Sequence, residues 1–82
     1  MIIHTNARHR FPEPRDYIEG KVVVASAWYS DEPNPRAALL LLHQSAPLYS
    51  TAIFDLATGE LALVDRLDNI IEASAAYTDL AE

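Results

Sequence analysis

The chain has no cysteine, which removes structural disulfides, thiolate zinc sites, iron–sulfur clusters and a cysteine nucleophile together. Glycine is almost as scarce. With only Gly20 and Gly59, neither a phosphate-cradling loop nor a dinucleotide fingerprint can be built, since both need several glycines close together for backbone amides to approach a phosphate. A Gly-x-Ser-x-Gly nucleophile elbow is missing too. Long apolar runs are lacking as well: Ala37 to Leu42 is the longest, far below the roughly 20 residues of a membrane-spanning helix. Met1-Ile2-Ile3 turns polar at His4, Thr5 and Asn6 and lacks the apolar stretch of a secretory signal. A cytoplasmic protein without membrane contact is expected.

Basic side chains number 6 against 12 acidic ones, for a formal net charge of -6. Lys21 is the sole lysine and alanine is abundant, a balance common in chains from GC-rich bacterial or phage genomes. At 82 residues the chain holds one core, with a stability of about 4 to 12 kcal/mol at the usual amount per residue. So small a domain buries only about 60 to 65% of the surface of its unfolded chain, so association is expected. Charge divides the chain. Residues 1 to 21 carry Arg8, Arg10, Arg15 and Lys21 against Glu13, Asp16 and Glu19, while the rest has only Arg36 and Arg66 against nine carboxylates. That split predicts an extended arm over residues 1–20 and a single acidic domain over 21–82. Pro12 and Pro14 forbid a helix through the arm, so residues 6 to 16 are expected to be loosely held, with Phe11, Tyr17 and Ile18 as anchors.

The pattern predicts an α+β fold: an antiparallel meander of about four strands (21 to 30, 37 to 44, 48 to 56, 60 to 67) with one C-terminal helix packed on one face. Val22 to Ser30 is rich in β-branched and aromatic residues and has no breaker. Asp31-Glu32-Pro33-Asn34-Pro35 must be a loop. Ala37 to Gln44 is ambiguous, because its residues are good helix formers and Asn34-Pro35 could start a helix. Its place between a clear strand and a clear hairpin favours a central strand buried on both faces. Leu56-Ala57-Thr58-Gly59 suits a hairpin loop in which Gly59 supplies a positive φ. Asn69 can cap a helix from there to Glu82, with Glu72 at capping-box spacing and Ile70, Ala73, Tyr77 and Leu80 on one stripe. Met1 to Thr5 can add an edge strand.

No constellation carries a specific chemistry. His4 and His9 have no carboxylate at metal-ligand spacing. His43 could work as a base with Asp55 or Asp65, but a polar residue ending a buried strand also simply reaches water. Asp65, Asp68 and Glu72, with Asp55 nearby, could hold a divalent cation, although carboxylates before a helix usually serve as caps. Arg8, His9 and Arg10 could meet a phosphate, yet about three contacts are too few for strong nucleic-acid binding. No cofactor is implied. Trp28 and Tyr29 lie on opposite faces of their strand, and whichever is not beneath the helix must meet a partner or be covered by the arm.

The reading that follows is a small acidic non-catalytic protein-binding domain, self-associating as a homodimer through the sheet face that the helix leaves bare, or through the sheet edge. Its interface candidates are Trp28, Tyr29, Leu39, Leu41, Asp55, Asp65, Asp68 and Glu72. Direct nucleic-acid binding is not expected. The alternatives are a phage- or mobile-element-type inhibitor or antitoxin-like protein that binds a nucleic-acid-processing enzyme, with a host or cognate protein as partner, and a small hydrolase using His43.

Overall fold

A computed structural model describes residues 10–30, 35–44 and 48–81, the side chains of Tyr29 and Ser30 excepted. The expectations for Met1 to Thr5, the histidines of the arm, Arg8, the loop at 31–34, the connection at 45–47, the Tyr29 side chain and Glu82 lie outside the described residues. Five strands and one helix follow in order: β1 (Tyr17–Ile18), β2 (Lys21–Ser30), β3 (Arg36–His43), β4 (Tyr49–Asp55), β5 (Leu61–Leu67) and α1 (Ile70–Ala81). The strands form one curled antiparallel sheet in the order β1-β2-β3-β4-β5. This is the expected α+β meander with its C-terminal helix, extended by one short strand where only anchoring side chains were foreseen. None of the described helices is long and apolar enough to cross a membrane.

The ambiguous segment is a strand because both of its faces are covered. Ala37 to Leu41 are buried without interruption, a pattern only a central strand between two layers can have. Alternation divides them. Ala37, Leu39 and Leu41 join Val23, Ala52, Phe54 and Leu56 in one core, against which Phe11, Ile18 and Leu61 pack. Ala38 and Leu40 point the other way, toward α1, which lies across β2 to β5 and buries Ala73. Of the helix's expected apolar stripe, Tyr77 and Leu80 are half-buried and Ile70 is exposed.

The arm is structural over its described part. Pro12 is buried, and its carbonyl accepts a 2.7 Å hydrogen bond from the Ser26 hydroxyl. The Arg15 amide donates to the Val23 carbonyl and the Val23 amide to that of Asp16, both at 2.8 Å. Arg10 pairs with Asp16 at 3.0 Å, and Phe11 lies on Trp28 with ring centroids 5.0 Å apart. A two-residue turn then sends the chain from Ile18 back to Lys21, with positive φ at both Glu19 and Gly20, the geometry of the tight hairpin that matches strand twist. Beyond Gly20 a side chain would meet open space, so glycine is suited there by its backbone alone. Ile18 is half-buried as expected, whereas Tyr17, expected to pack, is exposed. The alternation of β1 turns it away from the core that Ile18 joins.

Asp55 organises the β4–β5 loop. Its carboxylate accepts from the amides of Ala57 at 2.8 Å and Thr58 at 3.2 Å, and its carbonyl accepts from Gly59 at 2.7 Å. Gly59 has the expected positive φ of 80°. At the helix start the Asn69 side chain accepts from Ile71 at 2.7 Å and Glu72 at 3.4 Å, satisfying two amides that have no partner within the helix.

Candidate functional site

Leu39 and Leu41 are both 0% exposed. The sheet face expected to meet a second copy is therefore occupied by the chain's own arm, and these two residues are core. Trp28 shares that face, opposite Ala37. It is 54% exposed, beneath Phe11 on one side and open to solvent on the other.

The four carboxylates do not form one cluster. Asp55 is committed to its loop, where the Ala57 and Thr58 amides and, more weakly, the charge of Arg36 hold its carboxyl below the usual range. Asp65 pairs with Thr51, four strand residues and roughly 13 Å from Asp55. Asp68 and Glu72 follow at the β5–α1 junction, and all three of these last carboxylates are exposed. No group of three or more potential ligands for a metal ion occurs among the described residues.

What the junction does carry is a run of exposed apolar side chains. β5 has a neighbour on one side only, and its five central residues are all exposed. Leu63 is 52%, Val64 49%, Ile70 43% and Ile71 77% exposed; Leu63, opposite Ala52, lies on the arm's face of the sheet, while Ile70 and Ile71 belong to the helix on the other. Val64 is the extra residue of a bulge, since Leu63 pairs with Ala52 and Asp65 with the adjacent Thr51. Asp65, Asp68 and Glu72 fringe this apolar segment, and none forms an ion pair; the ion pair among the described residues is Arg10 with Asp16. Sequence reasoning picked out the carboxylates and missed the apolar residues, because Leu63 and Ile70 sit at periodic positions that suggest burial.

His43 stands apart from every carboxylate it was expected to use. Asp65 projects from the opposite sheet face, and Asp55 lies at the far end of β4. Its Nε2 instead lies 2.7 Å from the Ser50 hydroxyl, with Ser50 fully buried. Lys21 is directly opposite His43 across β2–β3, and Arg66 is opposite Ser50 across β4–β5, all four on one face. Burial, and then the positive charges of Lys21 and Arg66, push the imidazole below its ordinary pKa. A neutral histidine against a hydroxyl resembles half of a nucleophilic pair, but the hydroxyl is enclosed and no carboxylate among the described residues orients the ring. A pocket of about 210 Å³ is lined by Arg10, Pro12, Asp16, Tyr17, Ile18 and Phe54. It is smaller than the roughly 300 Å³ at which small-molecule sites begin.

Compared with known protein families, curated proteins and solved structures, the chain matches none.

Proposed function

We propose that the chain is a non-catalytic protein-binding domain that engages its partner through β5 and the first turn of α1, and that the partner offers an apolar contact rimmed by basic side chains. One observation carries this reading: residues 63–72 expose four large apolar side chains among three carboxylates that have no ion-pair partner among the described residues. Burying the exposed parts of Leu63, Val64, Ile70 and Ile71 is worth about 3 to 6 kcal/mol before the cost of association. Basic groups on the partner would meet Asp65, Asp68 and Glu72, giving complementary potential and faster encounter.

A second copy is the less favoured occupant. The sheet face that motivated homodimerisation is filled by the arm, and two copies joined at this junction would oppose like charges. Continuing the sheet at β5 is also disfavoured, because the bulge at Val64 and the charged Asp65 and Arg66 are devices that keep edge strands from pairing. A nucleic-acid-processing enzyme supplies the required rim, since its substrate surface is basic, and this favours the inhibitor reading over the hydrolase.

The test uses the full chain as bait in extract of its native host, with zero-length carboxylate-to-lysine crosslinking and mass spectrometry. Crosslinks from Asp68 or Glu72 to a basic surface, lost in Ile71→Glu and in Asp68→Lys while both variants melt like the parent, support the proposal. Equal capture by the variants, or no captured partner, overturns it. So does a dimer at tens of micromolar in sedimentation that Ile71→Glu dissolves, which would assign the surface to a second copy.

A further inference from the structure

We infer that the corner of the sheet formed by Lys21, His43 and Arg66 is an oxyanion-binding site that takes one tetrahedral dianion, phosphate or a phosphomonoester. The register carries the argument. Lys21 and His43 are direct cross-strand neighbours, as are Ser50 and Arg66, which sets their Cβ atoms about 5 Å apart in each pair. The 2.7 Å contact between His43 and Ser50 links the two pairs diagonally, since Ser50 is opposite Leu41, two residues before His43. Lys21 lies on the β2 side of His43 and Arg66 on its β5 side, on the same sheet face.

In a chain with 12 acidic side chains, neither Lys21 nor Arg66 forms an ion pair with any described carboxylate. Asp65, adjacent to Arg66 in sequence, is turned to the other face by strand alternation. The ammonium of Lys21 donates to the Glu19 carbonyl at 3.2 Å, which uses one of its three donors and leaves its charge unneutralised. The buried Ser50 hydroxyl engages Nε2 and fixes the ring, so Nδ1 is the nitrogen available to a ligand. Two permanent cations and one titratable cation with forked and point donors suit a compact dianion. The surrounding acidic chain opposes a polyanion.

The site follows pH. The charged groups facing His43 are Lys21 from β2 and Arg66 from β5; Ser50 of β4 is the neutral polar neighbour, and Ile18 of β1 lies beside Lys21 on the same face. The two cations oppose protonation of the ring when the site is empty, and a bound dianion reverses that opposition. Affinity therefore rises as pH falls through the histidine range.

The experiment follows the His43 imidazole resonances of the full chain by NMR while sulfate, a dianion throughout the range used, is titrated against chloride at matched ionic strength. Saturable shifts at millimolar sulfate are expected, with tighter binding at pH 5.5 than at pH 8 and a rise of about half a unit in the pKa of His43. Lys21→Gln and Arg66→Gln each weaken binding about tenfold, with circular dichroism reporting an intact fold. Inorganic phosphate and phenyl phosphate form two further arms, and the tighter of them identifies whether the natural ligand is free or esterified phosphate. Shifts that chloride reproduces, or that survive undiminished in the double variant, overturn the assignment.

Discussion

Replacing Phe11 by alanine tests whether the arm or a partner completes the core. Phe→Ala in a full core costs about 3 to 5 kcal/mol. Phe11 is half-buried, which reduces that loss, while its contact with Trp28 at 5.0 Å adds about 0.5 to 1.5 kcal/mol. A destabilisation of about 2 to 3 kcal/mol follows, a large part of the roughly 4 to 12 kcal/mol that 82 residues support. At about 4 to 8 °C per kcal/mol for a domain of this size, the melting temperature falls by roughly 8 to 24 °C. Urea unfolding read by far-UV circular dichroism measures the loss. Trp28, the sole tryptophan, reports the local event, its emission moving to longer wavelength as its covering ring is removed. The internal comparison is Ile71→Ala, which at 77% exposure changes stability by less than about 0.5 kcal/mol. If Phe11→Ala is as silent as Ile71→Ala, the arm does not seal the sheet, and the buried state of Leu39 and Leu41 needs another cover.

Thr51→Val removes a buried hydroxyl that has no hydrogen-bond partner, so calorimetry is expected to show stabilisation of about 1 kcal/mol. Asn69→Ala loses the cap of α1 and lowers stability by about 1 kcal/mol in denaturant unfolding. Asp16 and Asp55 have carboxyls held below their ordinary pKa, Asp16 first by the Glu13 amide and then by Arg10, Asp55 by the amides of its loop. Their stabilisation is present above the unfolded value near pH 4 and lost as pH falls through the lower folded value. Asp16→Asn and Asp55→Asn should therefore flatten the acid limb of a stability–pH profile and leave its slope above pH 5 unchanged. A gel-shift titration at about 150 mM salt is expected to show no complex with duplex DNA or RNA, since few free cations face any one surface.

The four longer strands and the helix are legible because their signals are local: β-branched runs, proline-bearing loops, Gly59 at a hairpin tip and Asn69 before an apolar stripe. The buried run at 37–41 is legible as needing two covers. What covers the second face is not, since Phe11, Pro12 and Ile18 follow no period, and their packing depends on the turn at Glu19-Gly20 folding β1 back onto β2. The pairing of His43 with Ser50 was within reach once the hairpin register was known, because Leu42 opposite Tyr49 places the two diagonally on one face. The exposure of Ile70 and Leu63 was not legible. Periodicity identifies an apolar stripe, but how far a helix extends over a sheet edge is decided by tertiary packing.

Strand order in the sheet is identical to strand order in the chain, and that has a kinetic consequence. Each strand pairs only with its neighbours in sequence, so forming the sheet never requires closing a long loop, and the chain entropy lost at each step is small. Such a topology has low contact order for a protein with this much strand, which places folding in the millisecond range rather than among the slow sandwiches. On a ribosome the arm and strands emerge before the helix. The face of Ala38 and Leu40 thus stays in water until α1 docks on it.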